Sequence, residues 1–531
     1  MSNKKLQVWV PLLFSVAMII GMFFGYRLRD NMPSGRGIFR IAKSSPLEEV
    51  MQLVRNRYVD AVSLDSLGDE AIEEILSRLD PHSVFIPARQ LQDVNEDLAG
   101  RFEGIGVEFN IFNDTVHVLN VLKDGPSDKA GVKVGDRFIK VGDSIVAGVN
   151  MSSERIRRLL RGPGGTKVTV NALRGAEQKQ YSITRGFIPL YALDAGYIIE
   201  PATGYIRLNK FSETTYEEFM QALEKLQKEG MQKLILDLRD NGGGILDEAV
   251  QIADEFLGGD TMVVYTEGVH SPRKEYRCRR KGLFEKGKLV LLLDEGSASA
   301  SEVLAGALQD YDRATIIGRR SFGKGLVQEQ YNLSDGSALR LTTARYYTPL
   351  GRSIQKPYDK GVDEYNEEIL NRYHHGGLLN ADSNKSVNGK VYVTKNGKPV
   401  YGGGGITPDI FVAIDTSFAL DTSVTQLYRR NTMNNFVYRY YVANLSFFSQ
   451  FKTPADFSKR FTADDKLIAE LIQFAAKDSV PLQGIKERDK ILLQKRLKNL
   501  LARQMWRNEG FYETANTDDL VVKKALEEIR K

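Results

Sequence analysis

Hydrophobic residues change their spacing several times along the chain. From Ser45 to Leu79, apolar residues recur every three or four positions, which predicts helix. From about Phe102 to Arg185 they alternate with small or polar residues and turn signals, which predicts short strands with one buried face. One short helix, Ser153 to Arg161, interrupts these strands. From about Ser417 onward the helical spacing returns, so the chain is expected to end in a helical region.

The segment between these regions, from Leu190 to about Gln355, has an α/β pattern. Short apolar runs at Leu234 to Leu238, Leu289 to Leu293 and Ala314 to Ile317 predict buried strands, and amphipathic segments such as Ala300 to Tyr311 lie between them. Strands that alternate with helices favour crossover units, in which helices cover a sheet. Residues 360–405, rich in Gly, Asn and Lys, are expected to form a long loop or insertion.

The N-terminus carries an uncharged run from Val8 to Gly25, preceded by Lys4 and Lys5. Its length is close to that needed to span a bilayer, although a long signal-peptide core would have the same pattern. An uncleaved anchor is favoured, because no convincing cleavage site or lipidation cysteine follows. Arginines after the run outnumber the preceding lysines, so charge does not fix the orientation.

Composition excludes several classes of protein. A net charge of +5 on 73 basic and 68 acidic residues is too mild to indicate nucleic-acid binding. The lone Cys278 cannot form a disulfide within the chain, and a surface thiol is the favoured interpretation, with a nucleophile between arginines as the alternative. The five histidines show no metal-ligand spacing. No metal or other cofactor is therefore expected.

The most informative segment runs from Gly296 to Glu302 and contains three alternating serines. It leaves a predicted buried strand and enters a predicted helix. A serine at such a junction lies beside free backbone N–H groups, which can stabilise an oxyanion. A small-residue turn with a serine cap would have the same pattern. Sequence spacing alone therefore leaves both interpretations open.

A second segment, Ser321 to Gln328, contains a candidate base. Lys324 and Gln328 occupy even positions of a strand-like run, so their side chains are expected to share a face. A desolvated lysine can deprotonate a serine, and a glutamine can orient its amine. Gly318 to Lys324 also fits a phosphate-binding loop, but Gly325 stands where that motif requires Ser or Thr.

Two glycine clusters are candidate sites at which backbone N–H groups bind an oxyanion or a carboxylate. Asp237 to Gly244 follows a predicted strand and could form an oxyanion hole or simply turn the chain. Gly104-Ile105-Gly106-Val107 opens a strand, as in sites that capture a peptide carboxylate and add the peptide to a sheet.

Together these segments resemble the C-terminal processing peptidases, or tail-specific proteases, which are serine peptidases with a PDZ domain. The resemblance covers roughly residues 45–412 and includes further motifs at Leu79-Asp80-Pro81-His82-Ser83, Gly135-Asp136 and Gly405-Ile406-x-Pro408-Asp409. It implies an α/β protease core with an inserted, mostly-β PDZ domain. An N-terminal transmembrane segment and a helical C-terminal region complete the expected fold.

The resemblance also assigns roles to residues. Ser299 matches the nucleophile, Lys324 the general base and Gln328 the residue that orients the lysine. Asp310 matches an acidic position that supports the site, although a structural role at a helix end fits equally well. The implied oxyanion donors are the N–H groups of Ala300 and Gly243, and the implied tail-binding residues are Gly104, Ile105, Gly106 and Val107.

The expected organisation has five parts: a membrane or signal segment (1–29), a helical part (45–95), a PDZ domain (96–186), a peptidase core (187–412) and a helical domain (415–531). The implied activity is hydrolysis near the C-termini of proteins with unfolded apolar tails, in the periplasm or outside the cell, with the chain held on a membrane through residues 8–25. An adaptor protein and a homo-oligomer remain open, and nucleic acid is not expected. The alternative is a catalytically silent PDZ-type scaffold.

Overall fold

The computed structural model describes residues 9, 11, 13–23, 45–380, 389–416, 422–482 and 484–531. The chain divides into two compact units, residues 1–71 and 72–531. The segment from Ser45 to Leu79 is helical as predicted, but Tyr58 is extended and ends a first helix within it. Two helices result, α1 (Pro46–Arg57) and α2 (Leu64–Ser77). A capping box between Ser45 and Glu48 starts the first one.

The predicted anchor is only partly covered by the structure. Residues 8, 10, 12, 24 and 25 of this run lie outside the described residues, and residues 13–23 are helical. Among the helices that are described, none is both long and apolar enough to cross a membrane.

A mostly-β domain follows β1 (Val84–Ile86) and α3 (Ala88–Ala99). Its elements are β2 (Arg101–Gly104), β3 (Val107–Phe112), β4 (Thr115–Val121), α4 (Pro126–Lys129), β5 (Arg137–Val141), β6 (Ser144–Ile145), α5 (Ser153–Leu160), β7 (Lys167–Arg174), β8 (Glu177–Thr184) and β9 (Gly186–Pro189). The main sheet has the order β3-β4-β5-β7-β8, with β6 beside β5, and strands β2 and β9 form a separate antiparallel pair. Among the described strands, β3 therefore has one free edge.

The α/β core is built on a six-stranded sheet with the order β10-β11-β12-β15-β16-β21. Only the β10–β11 pair is antiparallel, and the other neighbours are parallel. The elements of this layer are β10 (Leu193–Glu200), β11 (Thr203–Leu208), α6 (Thr215–Lys228), β12 (Lys233–Asp237), α7 (Leu246–Asp254), β15 (Lys288–Leu293), α8 (Ala300–Asp310), β16 (Thr315–Gly318) and β21 (Ile410–Phe411).

The central strands are apolar over most of their length because both faces of the sheet are covered. Leu289, Leu291 and Leu293 pack with α6, α7 and α8 on one face. Val290 and Leu292 point to the other face, where the last helix of the chain packs. Side chains alternate along a strand, so a sheet buried on both faces needs continuous apolar runs. The predicted crossover core is thus present.

A second sheet lies beside the core and carries the segment that follows Lys324. It has the order β1-β18-β13-β14, with β17 paired to β18. Its strands are β13 (Met262–Gly268), β14 (Ser271–Arg277), β17 (Leu326–Asn332) and β18 (Ala338–Tyr347).

The insertion at 360–405 is more regular than the predicted loop. It contains helix α9 (Val362–His374) and a hairpin of β19 (Val391–Val393) and β20 (Pro399–Tyr401). The helix is anchored by the buried Arg372, whose guanidinium donates to the carbonyl oxygens of Arg320, Ser321 and Phe322. These hydrogen bonds to distant backbone leave no pattern in the sequence, whereas the spacing of Val362, Tyr365 and Ile369 is a helical signal that the loop prediction did not use.

The C-terminal region is helical and contacts both preceding domains. Gln504 donates to the carbonyl oxygen of Leu119 in the mostly-β domain at 2.6 Å. Arg239 of the core pairs with Asp519 at 2.9 Å. The helices are α10 (Thr422–Arg429), α11 (Thr432–Ala443), α12 (Leu445–Phe448), α13 (Pro454–Arg460), α14 (Asp465–Lys477), α15 (Glu487–Ala515) and α16 (Leu520–Arg530).

Cys278 is not the surface thiol that the sequence favours. Its side chain is 3% exposed and packs in the core. Burial raises the pKa of the thiol to about 12, so the thiolate needed for nucleophilic attack is disfavoured. Its charged neighbours Arg277 and Arg279 hide this, because alternating residues point to opposite sides of an extended segment.

Candidate active site

Ser299 occupies a strained turn between β15 and α8. Its backbone has φ 56° and ψ −115°, a conformation that residues other than glycine rarely adopt. The turn is held by the side chain of Glu302, one of whose carboxylate oxygens accepts a hydrogen bond from the Ser299 N–H at 2.9 Å. Such strain is concentrated at functional sites, where the surrounding structure imposes it.

The other two serines of the segment have structural contacts. Both are fully buried. Ser297 donates to the carbonyl oxygen of Leu238 at 2.8 Å, and Ser301 donates to that of Asn241 at 2.9 Å. Of the three serines, only Ser299 lines the cavity described below.

The glycine cluster packs directly against this turn. A Cβ added at Gly243, which has φ +93°, would lie 2.6 Å from the carbonyl oxygen of Ala298. The close approach of the two backbones therefore requires glycine there. The N–H of Gly243, however, donates to the side-chain oxygen of Asn241 at 2.9 Å, so this predicted oxyanion donor is already engaged.

The next N–H group in the cluster is better placed. The carbonyl oxygen of Gly243 accepts from Phe211, and in a trans peptide the adjoining N–H of Gly244 points the opposite way. Within the described part of the chain, neither the N–H of Gly244 nor that of Ala300 donates to another residue. Both residues line the same cavity as Ser299.

Lys324 lies just before β17, and its side chain contacts that of Gln328, as expected for two residues on the same face. The lysine amine donates to the amide oxygen of Gln328 at 2.8 Å, and the amide nitrogen of Gln328 donates to the carbonyl oxygen of His82. Burial, reinforced by the positive charge of Arg340, lowers the pKa of Lys324. A lysine with a lowered pKa is more readily neutral and can accept a proton.

Ser299 and Lys324 line one cavity of about 470 Å³. Tyr346 lines the same cavity as both residues, and its hydroxyl donates to the carbonyl oxygen of Lys324. Burial raises the pKa of Tyr346 well above its ordinary value, so the group stays a neutral donor. The other polar side chains that line the cavity are Gln328 and Arg340.

Glu302 is a site residue to which the sequence reasoning assigned no role. One carboxylate oxygen accepts the N–H groups of Ser299 and Lys324, at 2.9 and 2.8 Å. The other accepts the N–H of Gly323 at 2.7 Å and the hydroxyl of Ser321 at 2.5 Å. Burial raises its pKa to about 7. The available signal was local, since a glutamate three residues after a serine is the pattern of a capping box.

Asp310 is not among the residues that line this cavity. It ends α8, about 16 Å along the helix from Ser299 at 1.5 Å per residue. There it is buried, pairs with the guanidinium of Arg352 at 2.5 Å and accepts the N–H of Leu350 at 2.9 Å. The geometry supports a structural role for Asp310 at the helix end.

The predicted tail-binding residues line a second groove, of about 420 Å³, between the free edge of β3 and helix α5. Gly106 has φ +74°. The carbonyl oxygens of Ile105 and Gly106 accept hydrogen bonds from within the domain. The N–H groups of these two residues donate to no other residue that the structure describes. The loop can therefore offer donors to a carboxylate beside an open strand edge.

Comparison with known proteins gives matches to three families. The model of peptidase family S41 matches residues 202–364, and that of the PDZ domain matches residues 104–184. A family of unknown function matches residues 423–507.

Two similar proteins are bacterial. A carboxy-terminal-processing protease of Bartonella bacilliformis is 36% identical over 313 residues, which are 58% of this chain and 71% of the relative. A probable CtpA-like serine protease of Staphylococcus epidermidis is 33% identical over 370 residues, 67% of this chain and 73% of that protein. A solved structure, a photosystem II D1 C-terminal processing protease, is 27% identical, with coverages of 70% and 87% and a TM-score of 0.35. The chain therefore belongs to peptidase family S41, as a serine peptidase of the carboxy-terminal-processing type with a PDZ domain.

Proposed function

We propose that this peptidase works through a Ser–Lys dyad, with Ser299 as nucleophile and Lys324 as general base. The observation that carries the proposal is the shared cavity, in which a lysine with a lowered pKa faces the strained serine turn. Gln328 fixes the direction of the lysine amine, and the His82 carbonyl fixes Gln328. A serine hydroxyl needs such a base to attack a peptide carbonyl at neutral pH.

The proposed reaction has two halves. The Ser299 hydroxyl oxygen bonds to the scissile carbonyl carbon while its proton passes to the neutral amine of Lys324. The N–H groups of Ala300 and Gly244 would stabilise the oxyanion. Lys324 then returns the proton to the leaving amine as the C–N bond breaks, which gives an acyl-enzyme. Water then loses a proton to Lys324 and bonds to the ester carbon. The bond from that carbon to the Ser299 oxygen breaks, the product leaves with a new terminal carboxylate, and the proton on Lys324 restores the Ser299 hydroxyl.

The PDZ domain supplies the preference for protein tails in this proposal. A terminal carboxylate would accept the free N–H groups of the loop at Ile105 and Gly106, and the preceding residues would pair with β3. An unfolded apolar tail fits, because pairing with a strand edge needs an extended chain. Ile105 and Leu160, both buried, offer an apolar floor.

The pH dependence of cleavage tests the dyad. Only neutral Lys324 can accept the proton, so kcat/KM is expected to rise with pH until this lysine is deprotonated. Because burial lowers its pKa, the midpoint should lie below the ordinary lysine value of 10.5. The measurement is cleavage of an unfolded protein with an apolar C-terminal tail between pH 5 and about 10. A flat profile, or one whose slope has not begun to fall at about pH 10, contradicts the proposal.

The same assay separates the enzyme from the scaffold hypothesis. A scaffold would bind the tail and leave it intact at every pH. Ser299, Lys324 and Gln328 line one cavity, which favours the enzyme hypothesis over the scaffold hypothesis.

We further propose, from the uncharged run Val8 to Gly25, that the chain is held on a membrane with the peptidase in the periplasm or outside the cell. The full chain should then sediment with membranes and be digested by protease added to cells whose outer barrier is opened but whose cytoplasmic membrane is intact. Deletion of residues 1–29 should release it from the membrane fraction. Recovery of the full chain in the soluble cytosolic fraction would exclude this placement.

A further inference from the structure

A cavity of about 850 Å³ lies beside helix α9 and takes no part in the proposed cleavage or in tail capture. Residues of α9 line it, among them Glu368, so we call it the α9 cavity. Within the described part of the chain, it shares no lining residue with the catalytic cavity. The N–H of Lys356, in its lining, donates to the carbonyl oxygen of Gly323 at 2.9 Å. A ligand in the α9 cavity would therefore lie beside the segment that carries Lys324.

Three cations share one carboxylate at the wall of this cavity. Glu368 pairs with Arg372 at 2.5 Å, and with Arg320 and Lys356 at 3.3 Å each. The side chains of these cations are largely buried, with exposed fractions of 5% for Arg372, 14% for Arg320 and 3% for Lys356. Buried charges are normally matched by charges of the opposite sign. Here one negative charge faces three positive ones, so two positive charges are left without a match.

The rest of the lining does not offset this excess. The charged residues that line the cavity in exposed positions are Arg345, Asp359, Lys360 and Glu364. They carry equal numbers of positive and negative charges, and solvent screens them. The charge of Glu302 also acts on Lys356, but its carboxylate already accepts four hydrogen bonds. The excess therefore stays with the buried group.

Arg320 and Lys356, which both line the cavity, have donors to spare. The buried Nε of Arg320 has no hydrogen-bond partner among the described residues, and of its other guanidinium nitrogens only Nη2 donates, to Glu368. The ammonium of Lys356 donates to the carbonyl oxygen of Tyr365 at 2.9 Å and to Glu368 at 3.3 Å, which leaves one of its three N–H groups. Buried donors normally have acceptors, so this wall lacks one.

The environment of both cations opposes their positive charge. Burial, together with the charge of Arg372, lowers the pKa of Arg320 to about 10. Burial also lowers the pKa of Lys356 to about 8. Both groups are still charged at pH 7, and an anion beside them would relieve the unfavourable charge.

We propose that the α9 cavity binds a phosphate group through the guanidinium of Arg320 and the ammonium of Lys356. A phosphate carries about 1.5 to 2 negative charges at pH 7, which matches the excess at the wall. Its oxygens accept charge-assisted hydrogen bonds from guanidinium and ammonium groups. A carboxylate would offset only half of the excess. The cavity has room for more than a lone phosphate, so inorganic phosphate and a small phosphate ester both fit.

A bound phosphate would strengthen the attachment of α9 to the segment that carries Lys324. Arg372 makes this attachment through the carbonyl oxygens of Ser321 and Phe322. The repulsion between Arg372 and Arg320 opposes it, and an anion beside Arg320 offsets that repulsion. Phosphate should therefore stabilise the folded protein. This site does not depend on the proposed dyad or on tail capture.

The test is isothermal titration calorimetry of the full chain, held in detergent micelles, with inorganic phosphate at pH 7. Sodium chloride keeps the ionic strength constant, so that a general salt effect is excluded. One saturable site is expected, and the thermal midpoint of unfolding should rise as the site fills. A parallel titration with glycerol phosphate identifies the source of the group, since tighter binding than inorganic phosphate indicates a small ester and equal or weaker binding indicates the free ion. Failure of both to show saturable binding would overturn the proposal.

Four variants locate the site. Arg320→Gln and Lys356→Gln should each weaken phosphate binding by about tenfold or more, because each removes a charged donor. Arg273→Gln and Lys360→Gln make the same charge changes at exposed positions, on β14 and in the exposed part of the cavity lining, and should keep the affinity within about threefold of the parent. Thermal unfolding shows which variants fold. Parental affinity in folded Arg320→Gln or Lys356→Gln, or an equal loss in Arg273→Gln, would show that phosphate binds elsewhere.

Discussion

Replacement of Ser299 by alanine is expected to lower kcat/KM by about 10⁴-fold or more, because Ser299 is the only Ser, Thr or Cys among the described residues that line the cavity. Lys324→Ala should lower it by about 10²- to 10⁴-fold, the range that a general base contributes. In the proposed mechanism the two residues act in one proton transfer, so the double variant should be little worse than Ser299→Ala. The measurement is steady-state cleavage of an unfolded protein with an apolar tail.

The neighbouring serines provide the control for this prediction. Ser301→Ala removes one hydrogen bond to a backbone carbonyl, which costs about 1 kcal/mol of stability. Ser297→Ala also leaves the N–H of Asp294 without its acceptor, so it should cost more, about 2 kcal/mol. They should keep activity within about tenfold of the parent. Thermal unfolding of every variant separates loss of fold from loss of chemistry. A folded Ser301→Ala that is as inactive as Ser299→Ala, or a Lys324→Ala with parental activity, would show that the assigned pair is wrong.

The parts of the fold that could be predicted from the sequence are those determined by residues that lie close together in the chain. The apolar runs at Leu289 to Leu293 and Leu234 to Leu238 reflect burial on both faces of one sheet. They can therefore be recognised as buried strands without knowing which strands lie beside them. The pairing of Lys324 with Gln328 is equally local, since four positions separate them.

The parts that could not be predicted depend on contacts between distant segments. The carbonyl oxygen of His82 fixes Gln328 across 246 positions of sequence, and Arg372 holds the segment before Lys324 through backbone oxygens. Backbone acceptors are the same at every residue, so no side-chain pattern identifies them. The hydrogen bond from the Gly243 N–H to the Asn241 side chain could not be predicted either, because it depends on the orientation of one peptide plane.

Glu302 gives the second large expected effect. Its carboxylate accepts four hydrogen bonds and thereby connects the serine turn to the lysine segment. In Glu302→Gln the amide nitrogen cannot accept, so it faces donors in a fully buried site. The two segments should move apart, and a displacement of about 1 Å between reacting groups can cost about 10²-fold. We therefore expect kcat to fall by about 10²-fold with KM little changed, because Glu302 does not line the tail groove.

A matched buried glutamate distinguishes positioning from a general loss of stability. Glu255 is 2% exposed and accepts hydrogen bonds from the hydroxyl of Tyr216 and the N–H of Leu283, outside the catalytic cavity. Glu255→Gln should lower the free energy of unfolding by an amount similar to that in Glu302→Gln, about 2 kcal/mol, and leave kcat near the parental value. An equal fall of kcat in both variants would show that Glu302 contributes only to the stability of the fold. A fall confined to Glu302→Gln, with unchanged KM, would establish that this carboxylate sets the distance between nucleophile and base.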